Sequence, residues 1–244
     1  MTGEETGRDG ELRSVRMGEL IEFASNGSTA GGYLAVPGSG LGPGVIVIQE
    51  WWGLVDHIED VCDRFAASGF VALAPDLYHG QKVPLGEPDE AGKAMMAMKM
   101  DRAARDMSGA VDELLRRSAG DHVGVIGFCM GGGLALVLAT QRPDAVAAVV
   151  PCYGIIPWPD AQPDYSAMSA AMLGHYAGKD SFFTPEAANA LAEQLRGMGK
   201  SVEIVVYPDA DHAFFNDTRP EVYNQEAARA LWGRTLEFFG SHLG

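Results

Sequence analysis

Six stretches of the chain are nearly unbroken apolar runs: GVIVIQE (44–50), FVALAPD (70–76), HVGVIGFC (122–129), AVAAVVPCYG (145–154), AMLGHYAGKD (171–180) and SVEIVVYP (201–208). Short runs of this kind, continuous rather than alternating, are the pattern of strands covered on both faces of a parallel sheet. The segments between them have helical periodicity. In the first, Ile58, Val61, Cys62, Phe65 and Ala66 recur at i, i+3, i+4, i+7 and i+8, and Gly69 follows where a left-handed C-terminal cap belongs. Similar patterns predict helices over 90–117, 132–140, 185–198 and 221–239. Ahead of them, ELIEFASNG and TAGGYLAVPG form the pattern of an antiparallel hairpin at a sheet edge. The expected architecture is α/β: a doubly wound, mostly parallel sheet flanked by helices.

Composition narrows the function classes. The 244 residues suffice for one well-buried α/β domain, expected over 13–244 behind a flexible N-terminus at 1–12. Eighteen basic against thirty-three acidic residues give a net charge of −15, which repels phosphate backbones and anionic membrane surfaces. Neither a nucleic acid nor a membrane is therefore an expected partner; monomer and homodimer both stay open. Cys62, Cys129 and Cys152 form no CxxC spacing and no paired framework, so a reducing compartment fits best. The opening MTGEETGRDGELR lacks the apolar core of a secretory signal, and no later run approaches the roughly 20 residues that span a bilayer. A cytoplasmic location is the expectation.

Candidate chemistry concentrates at one strand end. Gly127-Phe128-Cys129-Met130-Gly131 reads G-x-C-x-G, the strand-to-helix turn that presents a nucleophile, with sulfur in place of oxygen. The glycines two residues either side let strand and helix backbones crowd together. The helix that follows points its N-terminus at the sulfur and offers the Met130 amide to a developing oxyanion. A buried, inert packing cysteine is the alternative. Two downstream residues weigh against it, because nucleophile, acid and histidine follow one another in this order in α/β hydrolases. Asp180 ends a strand in YAGKD, 180 − 129 = 51 residues on, and His212 follows the last strand in YPDADHAFF, 212 − 180 = 32 residues further. Asp180 could instead cap the helix near Pro185, and Asp209 and Asp211 compete for the ring; Asp180 is preferred because it terminates a core strand. His57, His79, His122, His175 and His242 share no metal-ligand spacing, so no metal is expected, and hydrolysis by a nucleophile, acid and histidine requires no organic cofactor either. His79, after another strand end, is a candidate to line the pocket.

On these residues the chain resembles the dienelactone hydrolase, or carboxymethylenebutenolidase-like, family of the α/β-hydrolase superfamily, over almost its whole length. The resemblance implies an α/β-hydrolase fold and a Cys, Asp, His triad at Cys129, Asp180 and His212, with GFCMGG around the nucleophile. It further implies that Glu50, in VIQEWWGL, pairs with the resting thiol and exchanges places with the histidine, and that the Trp51 amide completes the oxyanion hole with that of Met130. A carboxylate ending an apolar strand must in any case find a cleft or a partner, since bare burial would be costly. The founding enzymes hold the dienelactone carboxylate with two arginines. Their places fall here near Gly80 and Asn216, leaving Lys82 or Arg219 as possible substitutes. An unclamped pocket suits a neutral ester or lactone as the small-molecule substrate better than an anionic one.

Trp51 and Trp52, adjacent in an extended segment, are expected to point opposite ways, one walling the pocket and one packing inward. Trp52, Tyr78, Tyr153, Trp158 and Phe214 are candidate pocket lining, with core packing the alternative for each. The segment 86–107 carries Met95, Met96, Met98, Met100 and Met107, either an adaptable wall or lid near the site or simply core. Two rival functions remain: a thiol that senses peroxide or electrophiles, and a silent scaffold serving as a binding module.

Overall fold

The computed structural model describes residues 17–157 and 162–244; the segment 1–12 and Trp158 lie outside them. Two N-terminal strands, β1 (Gly18–Ser25) and β2 (Ser28–Ala35), form the expected hairpin. The chain then alternates: β3 (Pro43–Ile48), α1 (Asp56–Ala67), β4 (Val71–Pro75), α2 (Pro88–Ala97), α3 (Met100–Leu115), β5 (Ala119–Phe128), α4 (Met130–Gln141), β6 (Val146–Cys152), β7 (Ala171–Ala177), α5 (Pro185–Gly197), β8 (Val202–Tyr207) and α6 (Gln225–Leu243). The eight strands lie in the order β1-β2-β4-β3-β5-β6-β7-β8. β1 and β2 pair antiparallel with their neighbours, and β4 through β8 with β3 form the parallel part.

The apolar runs are strands because both their faces are covered. Val45, Ile46, Val47 and Ile48 are fully buried, alternately entering two cores. One core lies under α1 and α6, the other under α3, α4 and α5. α1 puts Ile58, Val61, Cys62, Phe65 and Ala66 into the first. It ends in a Schellman motif: the Phe70 amide donates to the Phe65 carbonyl, the Gly69 amide to that of Ala66, and the two phenylalanine rings pack together, with Gly69 at φ +93°. None of the described helices is long and apolar enough to cross a membrane.

Two helix boundaries differ from expectation. The pattern over 90–117 is two helices, broken where Met98 and Lys99 turn extended. The buried positions explain the break. Buried Ala91 and Ala94 and partly buried Met98 keep helical spacing, but the next buried residue, Ala103, is 103 − 98 = 5 positions on, so one continuous helix would turn one of its two apolar faces away from the sheet. The last helix starts at Gln225 rather than near 221, because Asn224 is its N-cap and accepts from the Ala227 amide at 3.1 Å.

Candidate active site

The C-terminal ends of β5, β7 and β8 bring three side chains together. Cys129 stands between β5 and α4 at φ +55°, a conformation that side chains other than glycine seldom adopt and that costs on the order of 1–3 kcal/mol. Packing holds it there. A Cβ on Gly127 would run into the Gly131 carbonyl, and one on Gly131 into the carbonyls of Ile48 and Gln49 at the end of β3. The Cys129 amide donates to the Cys152 carbonyl at 3.0 Å, tying the turn to β6. Met130 is the first residue of α4, so its amide has no acceptor within the helix.

His212, in the loop after β8, stands beside the cysteine, which contributes to raising its imidazole. On its other side, Nδ1 lies 2.6 Å from Asp180 Oδ2. Asp180 Oδ1 meanwhile accepts from the amides of Phe182 and Phe183, at 2.8 and 3.0 Å, so the carboxylate is fixed at both oxygens. Burial opposes its charge, but the bond to His212 and the two amides hold Asp180 below the usual carboxylate range. For His212, burial alone would favour the neutral ring; the hydrogen bonds to Asp180 and Cys129 and their charges outweigh it and raise the imidazole to about 10. Asp209 and Asp211 do not take this place: Asp209 lies 3.9 Å from Lys179, and Asp211 lines the adjoining cavity.

Glu50, just past β3, is buried, and its two oxygens accept from Tyr153 Oη at 3.4 Å and Asn216 Nδ2 at 3.0 Å. The cysteine is therefore paired with the histidine here and the glutamate with Tyr153 and Asn216. Asn216, noticed in the sequence only as the place of an absent arginine, is fully buried and acts as a holder of Glu50.

A cavity of about 670 Å³ opens beside His212 and Asp180, walled by Trp51, Trp52, Leu85, Lys179, Phe182 and Arg219 among others. Trp51 and Trp52 do not diverge. The chain turns at them, closed by a Gly53 amide to Glu50 carbonyl bond, so the indoles meet edge to face with centroids 5.2 Å apart and both line the cavity. Arg219 has the position expected of a substitute clamp, but its Nε is 2.8 Å from Glu221 Oε1. Lys82 is turned instead to α1, where Nζ is 2.8 Å from Glu59.

Other expected lining residues sit elsewhere. Tyr153, at φ +37°, aims its ring back into the protein, where it is fully buried, bonds Glu50 and packs edge-on against His212 at 5.3 Å. Phe214 is fully buried between Tyr153 and Tyr207. His79, at φ +52°, faces α3, with Nε2 3.4 Å from Asp106, and lines a separate cleft with Lys99 and Arg102. Tyr78 borders that cleft too and is largely buried, its hydroxyl 3.7 Å from Met130 Sδ. Sequence reasoning missed Lys179, Ser181, Phe182 and Asp211 as cavity walls; their signal was position alone, in loops just past the carboxyl ends of β7 and β8.

The sequence matches the model of the dienelactone hydrolase family over residues 30–243. The chain belongs to the dienelactone hydrolase family. Membership places it among the carboxylic ester hydrolases. It is 39% identical over 236 residues to the protein usf of Aquifex pyrophilus, covering 93% of this chain and all of that one. It is 35% identical over 235 residues to a protein of Aquifex aeolicus provisionally named carboxymethylenebutenolidase, again covering 93% of this chain and all of the other. A crystal structure from Klebsiella pneumoniae, provisionally named a dienelactone hydrolase, superimposes with a TM-score of 0.80 at 30% identity, covering 92% of this chain and 99% of that one.

Proposed function

We propose that this dienelactone hydrolase family member cleaves a carboxylic ester or lactone through a thioester on Cys129. The observation that carries the reading is the continuous line from Cys129 through His212 to Asp180, with the acid fixed at both oxygens. The sulfur attacks the ester carbonyl, and the amides of Met130 and Trp51 receive the charge on oxygen. As the tetrahedral adduct collapses, the carbon–oxygen bond to the alcohol breaks and His212 passes its proton to the departing alkoxide. His212 then takes a proton from water, hydroxide adds to the thioester, and the sulfur leaves with the acid released. Asp180 keeps the imidazole in the tautomer that directs Nε2 at the reacting atoms.

The resting electrostatics suit this sequence. A histidine raised to about 10 is protonated at neutral pH, so it begins as an acid. Acylation takes away the thiol's part in raising the imidazole, which leaves the ring freer to act as a base toward water in the second half. The cavity favours a neutral substrate: Arg219 is engaged by Glu221, Lys179 lies near Asp209, and Asp211 adds negative charge.

The test compares p-nitrophenyl acetate and dienelactone hydrolysis by the wild type and Cys129→Ala. Turnover of the acetate that vanishes in the variant, with the anionic lactone the poorer substrate, is the expected result. Equal slow rates from both proteins would remove the hydrolase mechanism. If sulfenic acid then formed on Cys129 with peroxide, the thiol-sensor reading would take its place.

A further inference from the structure

Four of the five methionines of 86–107 border a second cavity that the triad chemistry leaves unused, while Met107 is fully buried in the core. The cavity holds about 400 Å³, and its walls are entirely apolar, among them Met95, Met96, Met98, Met100, Met130 and Phe183. Its volume falls within the range of small-molecule sites, about 300 to 1,000 Å³. It is joined to the reaction centre twice. Met130, which follows the nucleophile directly, forms part of its wall. Phe183, whose amide orients Asp180, also lines it and packs on His212 at 5.8 Å. Phe182, the neighbour on the chain, packs on the same imidazole at 5.8 Å but lines the larger, polar cavity. Two consecutive phenylalanines thus bracket the histidine, one in each cavity.

Resting on the hydrolase reading above, the geometry points to the methionine cavity as the subsite for the acyl chain of the substrate, with the alcohol portion in the polar cavity. The assignment of halves follows from proton delivery. His212 protonates the departing alkoxide, so the alcohol leaves on the side the imidazole faces, and His212 lines the polar cavity. The acyl carbon stays on sulfur, and the wall beside the sulfur is Met130 at the start of α4, backed by Leu134. Flexible methionines conform to unbranched chains better than branched side chains do. Met96 is 75% exposed and Met100 49%, an apolar rim left open to solvent at the mouth of this cavity. The substrate class is therefore an ester of a linear aliphatic acid with a small, uncharged alcohol.

The experiment measures kcat/KM for two series on the intact protein: p-nitrophenyl acetate, butyrate and hexanoate, which lengthen the acyl side, and ethyl, butyl and hexyl acetate, which lengthen the alcohol side. In the acyl series kcat/KM is expected to rise about fourfold per added methylene, the ratio given by burying one CH₂ in an apolar site. In the alkyl acetate series it should not rise. Met96→Glu combined with Met100→Glu, at two positions exposed enough to leave the core alone, should reduce the hexanoate-to-acetate ratio at least tenfold. A flat acyl series, equal slopes in both series, or a ratio unmoved by the double variant would overturn the subsite. Loss of the acetate reaction in Cys129→Ala reports separately on the hydrolase reading, so the two can fail independently.

Discussion

Removing the Cys129 sulfur should lower the His212 titration. The imidazole is raised to about 10 from an ordinary 6.5, and 10 − 6.5 = 3.5 units corresponds to roughly 5 kcal/mol of preference for the charged ring at about 1.4 kcal/mol per unit. Burial pulls the other way, so Asp180 and Cys129 together supply more than that difference. A single opposite charge in contact is worth about 1 to 3 units. Cys129→Ala, which keeps Asp180 in place, should therefore leave His212 titrating between about 7 and 9. The same displacement is what acylation would produce, since a thioester sulfur carries no charge; the variant reports the electrostatics of the intermediate without needing to trap it. Nitrogen-15 imidazole shifts followed from pH 5 to 11 in both proteins measure it directly. The wild-type sign is also fixed. A folded value above the unfolded one stabilises the fold fully below about pH 6.5, and this contribution disappears as pH rises through about 10. Identical titrations in the two proteins would mean that the sulfur plays no part in raising the ring, and this account of the resting site would be wrong.

Three further outcomes follow from the geometry. Gly131→Ala drives a Cβ into the carbonyls of Ile48 and Gln49, backbone atoms that cannot rotate away; urea denaturation should give a loss of about 1–3 kcal/mol, with a larger fall in kcat because the Met130 amide moves with α4. Asn216→Leu strips Glu50 of its 3.0 Å donor, and a bond to a charged, buried group is worth about 1.5–3 kcal/mol, so the denaturation midpoint should drop with an unchanged m-value. His175 is fully buried between Tyr207 and Thr235, and burial lowers it to about 3. The unfolded chain takes up a proton near pH 6.5 that the folded one refuses, so stability falls as pH drops from 6.5 toward 3 by about 1.4 kcal/mol per unit. His175→Gln should remove that increment from the acid slope, whatever it does to stability at pH 7; an unchanged slope between pH 4 and 6 would refute the assignment.

What the sequence made legible divides along a physical line. The sheet could be read because strands covered on both faces need unbroken apolar runs, and the helix break at Met98 could have been read from the lost phase between Met98 and Ala103. The turn at Cys129 was legible because its crowding forbids side chains at Gly127 and Gly131, which leaves a local mark. Asp180 and His212 followed because fold order and strand ends confine them. The pocket did not follow from the same rule. Tyr153 and His79 also come just after strand ends, yet a positive φ at each rotates the side chain away from the cavity, and nothing in a tyrosine or histidine announces that its backbone will turn left-handed. Trp51 and Trp52 failed for a related reason: side-chain alternation holds only while the chain stays extended, and it turns there.

Asn216 joins these two cases and explains why an absent arginine does not leave a vacant position. In a fully buried position an arginine needs a charge to meet, and Glu50 is the carboxylate at hand. With asparagine there, Glu50 keeps a neutral donor at 3.0 Å, and the Asn216 carbonyl oxygen is free to take the Thr218 amide at 3.1 Å and its hydroxyl at 2.6 Å. Those bonds pin the start of the loop that carries Thr218, Arg219, Glu221 and Val222 along the polar cavity. Asn216 thus gives Glu50 an uncharged donor and fixes the wall beside the cavity, which is why charge selectivity and loop geometry should change together when Asn216 is replaced by a charged residue.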